Sequence, residues 1–289
     1  QYDGIIALDS KILVDMLTIF GDVDVNGIRF SAVNDKRCDC PQVIYTLFDL
    51  VDRPVGYVKE NRKGILGDLM YRLFYNAIGF SPSKYWGTLM QTMFKNLDEK
   101  HILVYFVDEE TQKSLEQMNF AGRIKEYNGD YLHINNVNFA GAKSNMFVSE
   151  SIDSKTNGNE REVTIKFQNP YPSSDCNLER GGLCLNATLR NWIRIYVPQG
   201  SKLISLQGST KKVQTYDELG KTVFEGYLEI VPEGHGTVIA KYNLPSNVDT
   251  SNYSLLIQKQ AGVEEQKLKV SLNNKILFNG LLKTDKVIK

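Results

Sequence analysis

The chain has 289 residues, and its 34 basic side chains balance its 34 acidic ones. This balance argues against a broad electrostatic surface for nucleic acid or anionic lipid, so no nucleic-acid partner is expected. A composition that is 42% hydrophobic and 24% charged is typical of a folded protein. The apolar runs are far shorter than the roughly 20 residues that span a bilayer, and the length predicts about two domains.

The first third of the chain has the pattern of a mixed α/β domain. Gly4 to Leu8 is a short apolar strand, and Asp9 is placed to cap the helix that follows. Gly21 stands where that helix should end. Asn26-Gly27, between two alternating segments, predicts a hairpin.

A helical block and short strands continue this part. Apolar pairs four residues apart predict a helix from Ile65 to Gly79, and Ser81-Pro82 is typical of the start of another. We expect the large side chains of the second helix to lie in the core, namely Tyr85, Trp86, Met90 and Met93. The pattern then predicts a strand at 101–107 and a capped helix at 108–118. Two further strands are predicted at 122–125 and 131–137.

After about residue 140 the helical period disappears. The segment 154–160 is polar and rich in turn formers, and short alternating strands follow at a spacing typical of a sandwich. They are predicted at 163–167, 192–197, 202–206, 222–230, 237–242, 253–258, 266–272 and 275–281. The expected fold class is α+β, with an α/β domain over residues 1–145 followed by an all-β, immunoglobulin-like sandwich over residues 146–289.

The four cysteines are more typical of disulfides in an oxidising compartment than of a metal site. Cys176 and Cys184 flank a loop that can turn at Gly181-Gly182, and we predict a disulfide between them, with a contribution of about 2–3 kcal/mol. Cys38 and Cys40 leave three outcomes open: a mutual bridge, pairing elsewhere, or free thiols. The spacing of the four and the scarcity of His argue against zinc, so no metal is expected. An even cysteine count fits an oxidising compartment.

No cofactor is expected, because the cofactor motifs are incomplete. Gly220-Lys221-Thr222 is similar to the end of a phosphate-binding loop, but Thr215 stands where that loop needs its first Gly. A turn between two strands is the prediction for this segment. Nucleophile motifs are also missing, which leaves enzymatic activity open but favours a non-enzymatic protein.

Arg190, Trp192, Arg194 and Tyr196 share one face of a predicted strand. Aromatic rings beside guanidinium groups can bind sugars, so this face is a ligand-binding candidate. The alternative is structural: Trp192 and Tyr196 are buried, and the stems of the arginines cover them.

Lys143 and Asn145 form a second candidate. They follow Gly141 at the predicted domain junction, where a Lys, an Asn and backbone amides can hold a phosphate or carboxylate. The alternative is a turn at Gly141 that Asn145 caps.

Several phrases of the sequence resemble one family over nearly the whole chain. They are DGIIALD from Asp3, GDVDV from Gly21, NFAGAKSN from Asn138, RNWIRIYVPQG from Arg190 and YSLLIQKQAG from Tyr253. In this order they resemble the family called domain of unknown function 4012. That resemblance implies a surface protein of bacteria or archaea with one membrane helix and a large external part, often encoded near genes for envelope polysaccharides. It supplies no catalytic residues.

The first residues lead us to expect a fragment, and the resemblance leads us to expect an anchor. The chain begins with Gln, and a strand-like run starts almost at once. We therefore expect an N-terminal transmembrane anchor upstream of this piece, on a protein that lies at the extracellular face of the cell membrane or the cell surface.

The strand, helix and Gly-x-Val-x-Val hairpin at the start are similar to the beginning of a LytR-CpsA-Psr domain. Those enzymes transfer lipid-linked glycopolymers to the cell wall and use Arg and Asp side chains around a pyrophosphate. This likeness implies phosphate-binding roles for Arg37, Arg62 and Arg72, and a cation-binding role for Asp9 or Asp68. The Arg-rich motif of that family is not reproduced here.

Three hypotheses for function follow. The first is an extracytoplasmic module of an anchored envelope protein that binds envelope polysaccharide or a surface protein. The second is a phosphotransferase-like enzyme of LytR-CpsA-Psr type that acts on lipid-linked glycopolymers. The third is a purely structural role in a surface assembly.

Overall fold

The computed structural model describes residues 2–52, 64–79, 82–264 and 266–289. They have a mixed α+β structure with several sheets, which confirms the predicted class at this level. They form two compact units, one of Gln1–Gly122 with Asp175–Leu183 and one of Arg123–Ser174 with Cys184–Lys289. The helices are α1 (Ser10–Phe20), α2 (Gln42–Asp52), α3 (Gly64–Gly79), α4 (Pro82–Asp98) and α5 (Glu109–Gln117).

The sheets described in the first unit are two-stranded. The strands are β1 (Gly4–Leu8), β2 (Val23–Val25), β3 (Ile28–Phe30), β4 (Asn34–Asp35), β5 (Cys40–Pro41) and β6 (Ile102–Phe106). β1 pairs with β6, β2 with β3, and β4 with β5, in each case antiparallel. The β2–β3 hairpin turns at Asn26 and Gly27, both of which have positive φ, as the sequence predicts.

Helix α1 begins and ends where its sequence predicts. The Asp9 side chain accepts a hydrogen bond from the Lys11 amide at 2.9 Å, which satisfies a free donor of the first turn. Gly21 has a φ of 85° and donates its N–H to the Leu17 carbonyl. One face of this helix is buried through Ile12, Leu13, Met16 and Leu17.

The expected core position of the α4 side chains is wrong for two of the four, Trp86 and Met90. Trp86 is 48% exposed and Met90 is 41% exposed. Helix α3 likewise buries Leu69 and Leu73 but leaves Phe74 exposed. Helix α3 contacts α1 and β2, and α4 contacts α1 and β6, and these neighbours cover only part of each wide apolar stripe. The amphipathic pattern predicts these helices correctly but not how much of each stripe is covered.

Two six-stranded sheets make up the second unit. The strands are β7 (Asp130–Asn138), β8 (Ser149–Asn157), β9 (Glu160–Gln168), β10 (Leu189–Pro198), β11 (Lys202–Gln207), β12 (Gln214–Glu218), β13 (Lys221–Ile230), β14 (His235–Asn243), β15 (Leu255–Gln258), β16 (Gln266–Leu272), β17 (Lys275–Leu282) and β18 (Lys286–Ile288). Sheet I has the order β12-β13-β10-β7-β15-β18, and sheet II has the order β11-β14-β9-β8-β16-β17. Most neighbours are antiparallel, but β15 is parallel to β7 and β16 is parallel to β8.

Side chains of both sheets meet in one apolar core. Ile134 and Ile195 from sheet I and Ile165 and Val270 from sheet II belong to the same buried cluster. On β9 the buried positions continue with period two as far as Arg161, which is fully buried. The inner faces of the two sheets therefore pack against each other. Side chains at the alternate positions point away from this core, on the outward faces.

Three features of the second unit differ from the sequence prediction. Residues 122–125 are not a strand, and the polar segment 154–160 is part of the β8–β9 hairpin, which turns at Gly158. The predicted boundary at 145/146 would place β7 with the first domain. Instead β7 pairs with β10 and β15, so the structure divides at 122/123.

All four cysteines are disulfide-bonded. Cys38 pairs with Cys40, and Cys176 and Cys184 form the second bridge, which confirms the predicted pair. The open question of Cys38 and Cys40 is thus resolved as a mutual bridge. None of the described helices is long and apolar enough to cross a membrane.

Candidate binding face of the second unit

Trp192 lies on the outward face of sheet I, between two other aromatic side chains. In the ladder it pairs with Tyr227 on β13 and with Val137 on β7. Its ring centroid is 5.6 Å from that of Tyr227 and 6.1 Å from that of Phe139. Phe139 is 67% exposed, so the group remains open to solvent. We call Trp192, Tyr227, Phe139 and Val137 the aromatic face.

An ion pair borders the aromatic face on the side of Arg194. The Arg194 Nε donates to Glu225 Oε2 at 2.7 Å, and the Tyr216 hydroxyl donates to the same oxygen at 2.8 Å. Burial acts to raise the pKa of Glu225, but the hydrogen bonds from Tyr216 and Arg194 outweigh it and lower the pKa. The carboxylate therefore stays charged and holds the guanidinium in place.

A looser pair borders the face on the side of Arg190. The distance from Arg190 Nε to Glu229 Oε1 is 3.7 Å, and both side chains are about half exposed. The Tyr227 hydroxyl donates to Glu229 at 2.7 Å, which raises the pKa of Tyr227. Exposed pairs of this kind are weak, so both charged groups are accessible to a ligand.

Tyr196 is buried, as predicted by the alternative in which this strand face is structural. It is 6% exposed, and its hydroxyl donates to Glu218 at 3.0 Å. Trp192 is only partly buried, and the ring of the exposed Phe139 lies beside it. The predicted candidates Arg190, Trp192 and Arg194 thus do lie on one open face. Tyr196 is on the same side of the strand but is buried in a small cluster with Tyr131, Val223 and Leu256.

Lys143 immediately precedes, and Asn145 lies within, a short 3-10 turn at Ser144–Met146. The Asn145 Oδ1 accepts a hydrogen bond from Asn138 at 2.8 Å, and the buried Ser144 hydroxyl donates to the Ala187 carbonyl at 2.6 Å. Asn145 therefore helps to hold the turn, as the alternative expects. Anion binding by Lys143 and Asn145 stays a prediction.

The arginines that the LytR-CpsA-Psr likeness singles out have local partners. Arg37 forms a two-pronged hydrogen bond with Asp35, with its Nη2 2.6 Å from Oδ2, and lies 3.8 Å over the Tyr45 ring. The bond from Arg37 lowers the pKa of Asp35. Arg72 lies 5.9 Å from the ring of its helix neighbour Tyr75. Arg62 lies outside the described residues.

The acidic candidates of the first unit also have structural partners. Asp9 caps α1 and contacts His101 Nδ1 at 2.6 Å, and Asp68 accepts from Asn26 at 3.1 Å. A cavity of about 430 Å³ in this unit is lined by neither Arg37 nor Arg72. Within the described ranges, no group of three or more His, Cys, Asp or Glu side chains is arranged to hold a metal ion.

Phe139, Tyr227 and the two glutamates were not among the residues that the sequence predicts for this face. Glu225, Tyr227 and Glu229 do alternate on one strand, which indicates a shared face. Their position opposite β10 depends on the β10–β13 register, which no local motif reveals. Phe139 lies just beyond the end of β7, where strand periodicity no longer applies.

Comparisons with known proteins leave the chain without a family. No protein-family model matches it, and no curated protein matches it. One solved structure with partial similarity is a protein of Legionella pneumophila described as a "putative nutrient binding protein". The identity is 9% and the TM-score is 0.28, and the alignment covers 49% of this chain and 54% of the other. A similarity this low carries no argument about fold or function.

Proposed function

We propose that the second unit binds a glycan of the cell envelope through the aromatic face around Trp192. The observation that carries this proposal is the placement of Trp192 between Tyr227 and the exposed Phe139 on an open sheet face. The C–H faces of sugar rings stack on aromatic side chains, which offer a large rigid surface at low entropic cost. A flat sheet face suits an extended sugar chain better than a small buried ligand.

The charged side chains at the border of the face supply the polar part of such a site. Arg190 and Glu229 are accessible, and each can exchange its weak mutual contact for a hydrogen bond with a sugar hydroxyl. Arg194 and Glu225 are tightly paired and form a fixed side of the face. Stacking would thus provide affinity, and the two pairs would orient the sugar.

The envelope assignment has a separate basis. Two disulfides support an oxidising, extracytoplasmic compartment. Anchoring by an upstream membrane helix at the cell surface, and membership of the domain of unknown function 4012 family, are parts of the proposal that depend on the sequence resemblance. The fold proposed with them is an α/β part followed by an immunoglobulin-like sandwich. The confinement of the described helices to the first unit supports it.

The test is a glycan array probed with the whole chain, followed by titration of the strongest binder. Trp192→Ala should weaken that binding by about tenfold or more, since a central aromatic residue of a binding site typically contributes at that level. The matched control is Trp86→Ala, because Trp86 is the other tryptophan of the chain and is exposed on α4. Arg190→Gln should weaken binding by about threefold.

Equal binding by Trp192→Ala and the unaltered chain would remove the aromatic face from consideration. An equal loss in both tryptophan variants would show that the effect does not come from this face. Circular dichroism of each variant shows that the fold is retained before the affinities are compared.

A further inference from the structure

A second surface feature lies on the outward face of sheet II, across the apolar core from the aromatic face. It is a shallow depression of about 220 Å³. Its lining includes Lys166 on β9 and Lys267 and Lys269 on β16, with the hydroxyls of Ser151 and Thr164 between them. We call these three lysines and two hydroxyl residues the lysine depression.

The ladder register fixes how the three lysines are arranged. Ser151 on β8 pairs with Lys166 on one side and with Lys267 on the other, so these three residues form a row across three strands. Neighbouring strands are ~4.8 Å apart and alternate residues of a strand are ~7 Å apart. Lys166 and Lys267 are therefore ~10 Å apart across the sheet, and Lys267 and Lys269 are ~7 Å apart along it.

The lysine depression carries more positive than negative charge. In the part of the chain that the structure describes, none of its three ammonium groups has an ion-pair partner within 4.0 Å. One carboxylate shares the lining: Asp153 pairs in the ladder with Lys269 and lies 3.7 Å from the ammonium group of Lys155. Three lysines and one aspartate thus leave a net positive charge on a small area of a chain that has no net charge overall.

We propose that the lysine depression binds an acidic polysaccharide, one whose negatively charged groups repeat along a sugar chain. Ammonium groups are mobile point charges on long stems, and three of them at this spacing match repeated anionic groups rather than one compact ion. The hydroxyls of Ser151 and Thr164 and the amide of Asn279 lie among the lysines and can bond to sugar hydroxyls.

The lining also argues against single-stranded nucleic acid as the ligand. Proteins that bind such strands provide aromatic side chains on which the bases stack. The residues that line this depression are Lys, Ser, Thr, Asn, Asp, Ile and Leu, with no aromatic ring among them. Charge and hydroxyl chemistry without a stacking platform favour an acidic sugar polymer.

The test uses the whole chain and two matched pairs of probes. One pair is oligogalacturonate and its methyl ester, and the other is phosphomannan and mannan. The chain should bind at least one acidic member and neither neutral member, and this result also distinguishes carboxylate from phosphate recognition. Lys166→Gln/Lys267→Gln/Lys269→Gln should weaken binding about tenfold at low salt, and raised salt should reduce the difference.

Two controls separate this site from other effects. Lys36→Gln/Lys113→Gln/Lys289→Gln removes the same charge from exposed lysines outside the depression and should change affinity by less than about twofold. Trp192→Ala should leave binding of the acidic probe unchanged, so this inference and the aromatic-face proposal fail independently.

Several results would overturn the inference. They are equal binding of acidic and neutral probes, no binding of either acidic probe, and an equal loss in both triple variants. Tighter binding of a single-stranded oligonucleotide than of either acidic glycan would also overturn it.

Discussion

The two compact units use their apolar side chains in different ways. In the second unit, alternate residues of two six-stranded sheets meet in one continuous core. In the first unit the described sheets are two-stranded, and the helices leave Phe74 and Trp86 exposed. Burial of apolar surface is the main favourable contribution to folding. We therefore expect core substitutions in the second unit to lower the free energy of unfolding most. In the first unit, the effect of a substitution should depend on which face of its helix the residue occupies.

The second unit also buries a charged network inside its core. Arg161 and Asp130 have no exposed surface, and Arg161 Nη1 lies 2.5 Å from Asp130 Oδ2. Ser154 accepts two further hydrogen bonds from the guanidinium, and the Tyr253 hydroxyl donates to Asp130 at 2.6 Å. Both charges are thus held by each other and by neutral hydrogen-bond partners, as burial requires.

The largest effect is expected from breaking this buried pair. Arg161→Ala leaves the Asp130 carboxylate buried without its cation and should lower the free energy of unfolding by about 3–5 kcal/mol. The control is Arg180→Ala, because Arg180 pairs with Asp175 on the surface, and its loss should change stability by less than about 1 kcal/mol. Urea denaturation measures both. A difference of less than about 1 kcal/mol between the variants would contradict the assignment.

Adjacent positions on α3 sharpen the comparison for the first unit. Leu73 is fully buried and Phe74 is about half exposed. Leu73→Ala should lower the free energy of unfolding by about 2–5 kcal/mol because it leaves a cavity. Phe74→Ala should lower it by less than about 0.5 kcal/mol, as expected for a surface position. Thermal denaturation of the pair checks this, and a larger loss for Phe74→Ala would show that the exposed stripe is covered.

A smaller effect, dependent on pH, is expected at Glu150 in the second unit. Burial raises the pKa of this carboxyl to about 7, although hydrogen bonds from Gln266 and Asn136 at 2.9 and 3.0 Å act to lower it. The folded state therefore holds a proton that the unfolded chain releases near its ordinary pKa of 4.5. The buried carboxyl destabilises the fold least when it is protonated. The free energy of unfolding is therefore highest below pH ~4.5 and falls as the pH rises through ~7.

Glu150→Gln removes this dependence. Relative to the unaltered chain, the variant should gain up to about 3 kcal/mol in free energy of unfolding between pH 4.5 and pH 8. Denaturation curves over that range measure the difference. A pH-independent difference between the two chains would mean that the pKa of Glu150 is not raised in the folded state.

Local signals predicted the parts of the fold that depend on a few neighbouring residues. Gly21 ends α1, and Asn26-Gly27 turns the β2–β3 hairpin with positive φ. Leu219 and Gly220 make the turn predicted where a phosphate-binding loop was the alternative. The Cys176–Cys184 bridge followed from a short loop that contains two glycines.

Features that depend on residues far apart in the sequence were not predicted. Strand β8 was missed because Ser154 and Thr156, its buried residues near the turn, are polar and face Arg161 and Tyr253 rather than an apolar core. Trp192 was recognised as a candidate from its own strand. Its aromatic neighbours come from β13 and from beyond β7, and cross-strand register brings them together.

The two parallel strand pairs bear on how the chain can be synthesised and assembled. β15 and β16 join the sheets beside β7 and β8, so Leu255 pairs with Asp130 and Lys267 pairs with Ser151. Until residues 255–272 leave the ribosome, β7 and β8 each present an unpaired edge that can associate with another chain. Such distant pairings form slowly and prolong that exposure. Completion of both sheets is therefore a late event, and a nascent chain that stalls before residue 255 would be prone to aggregate.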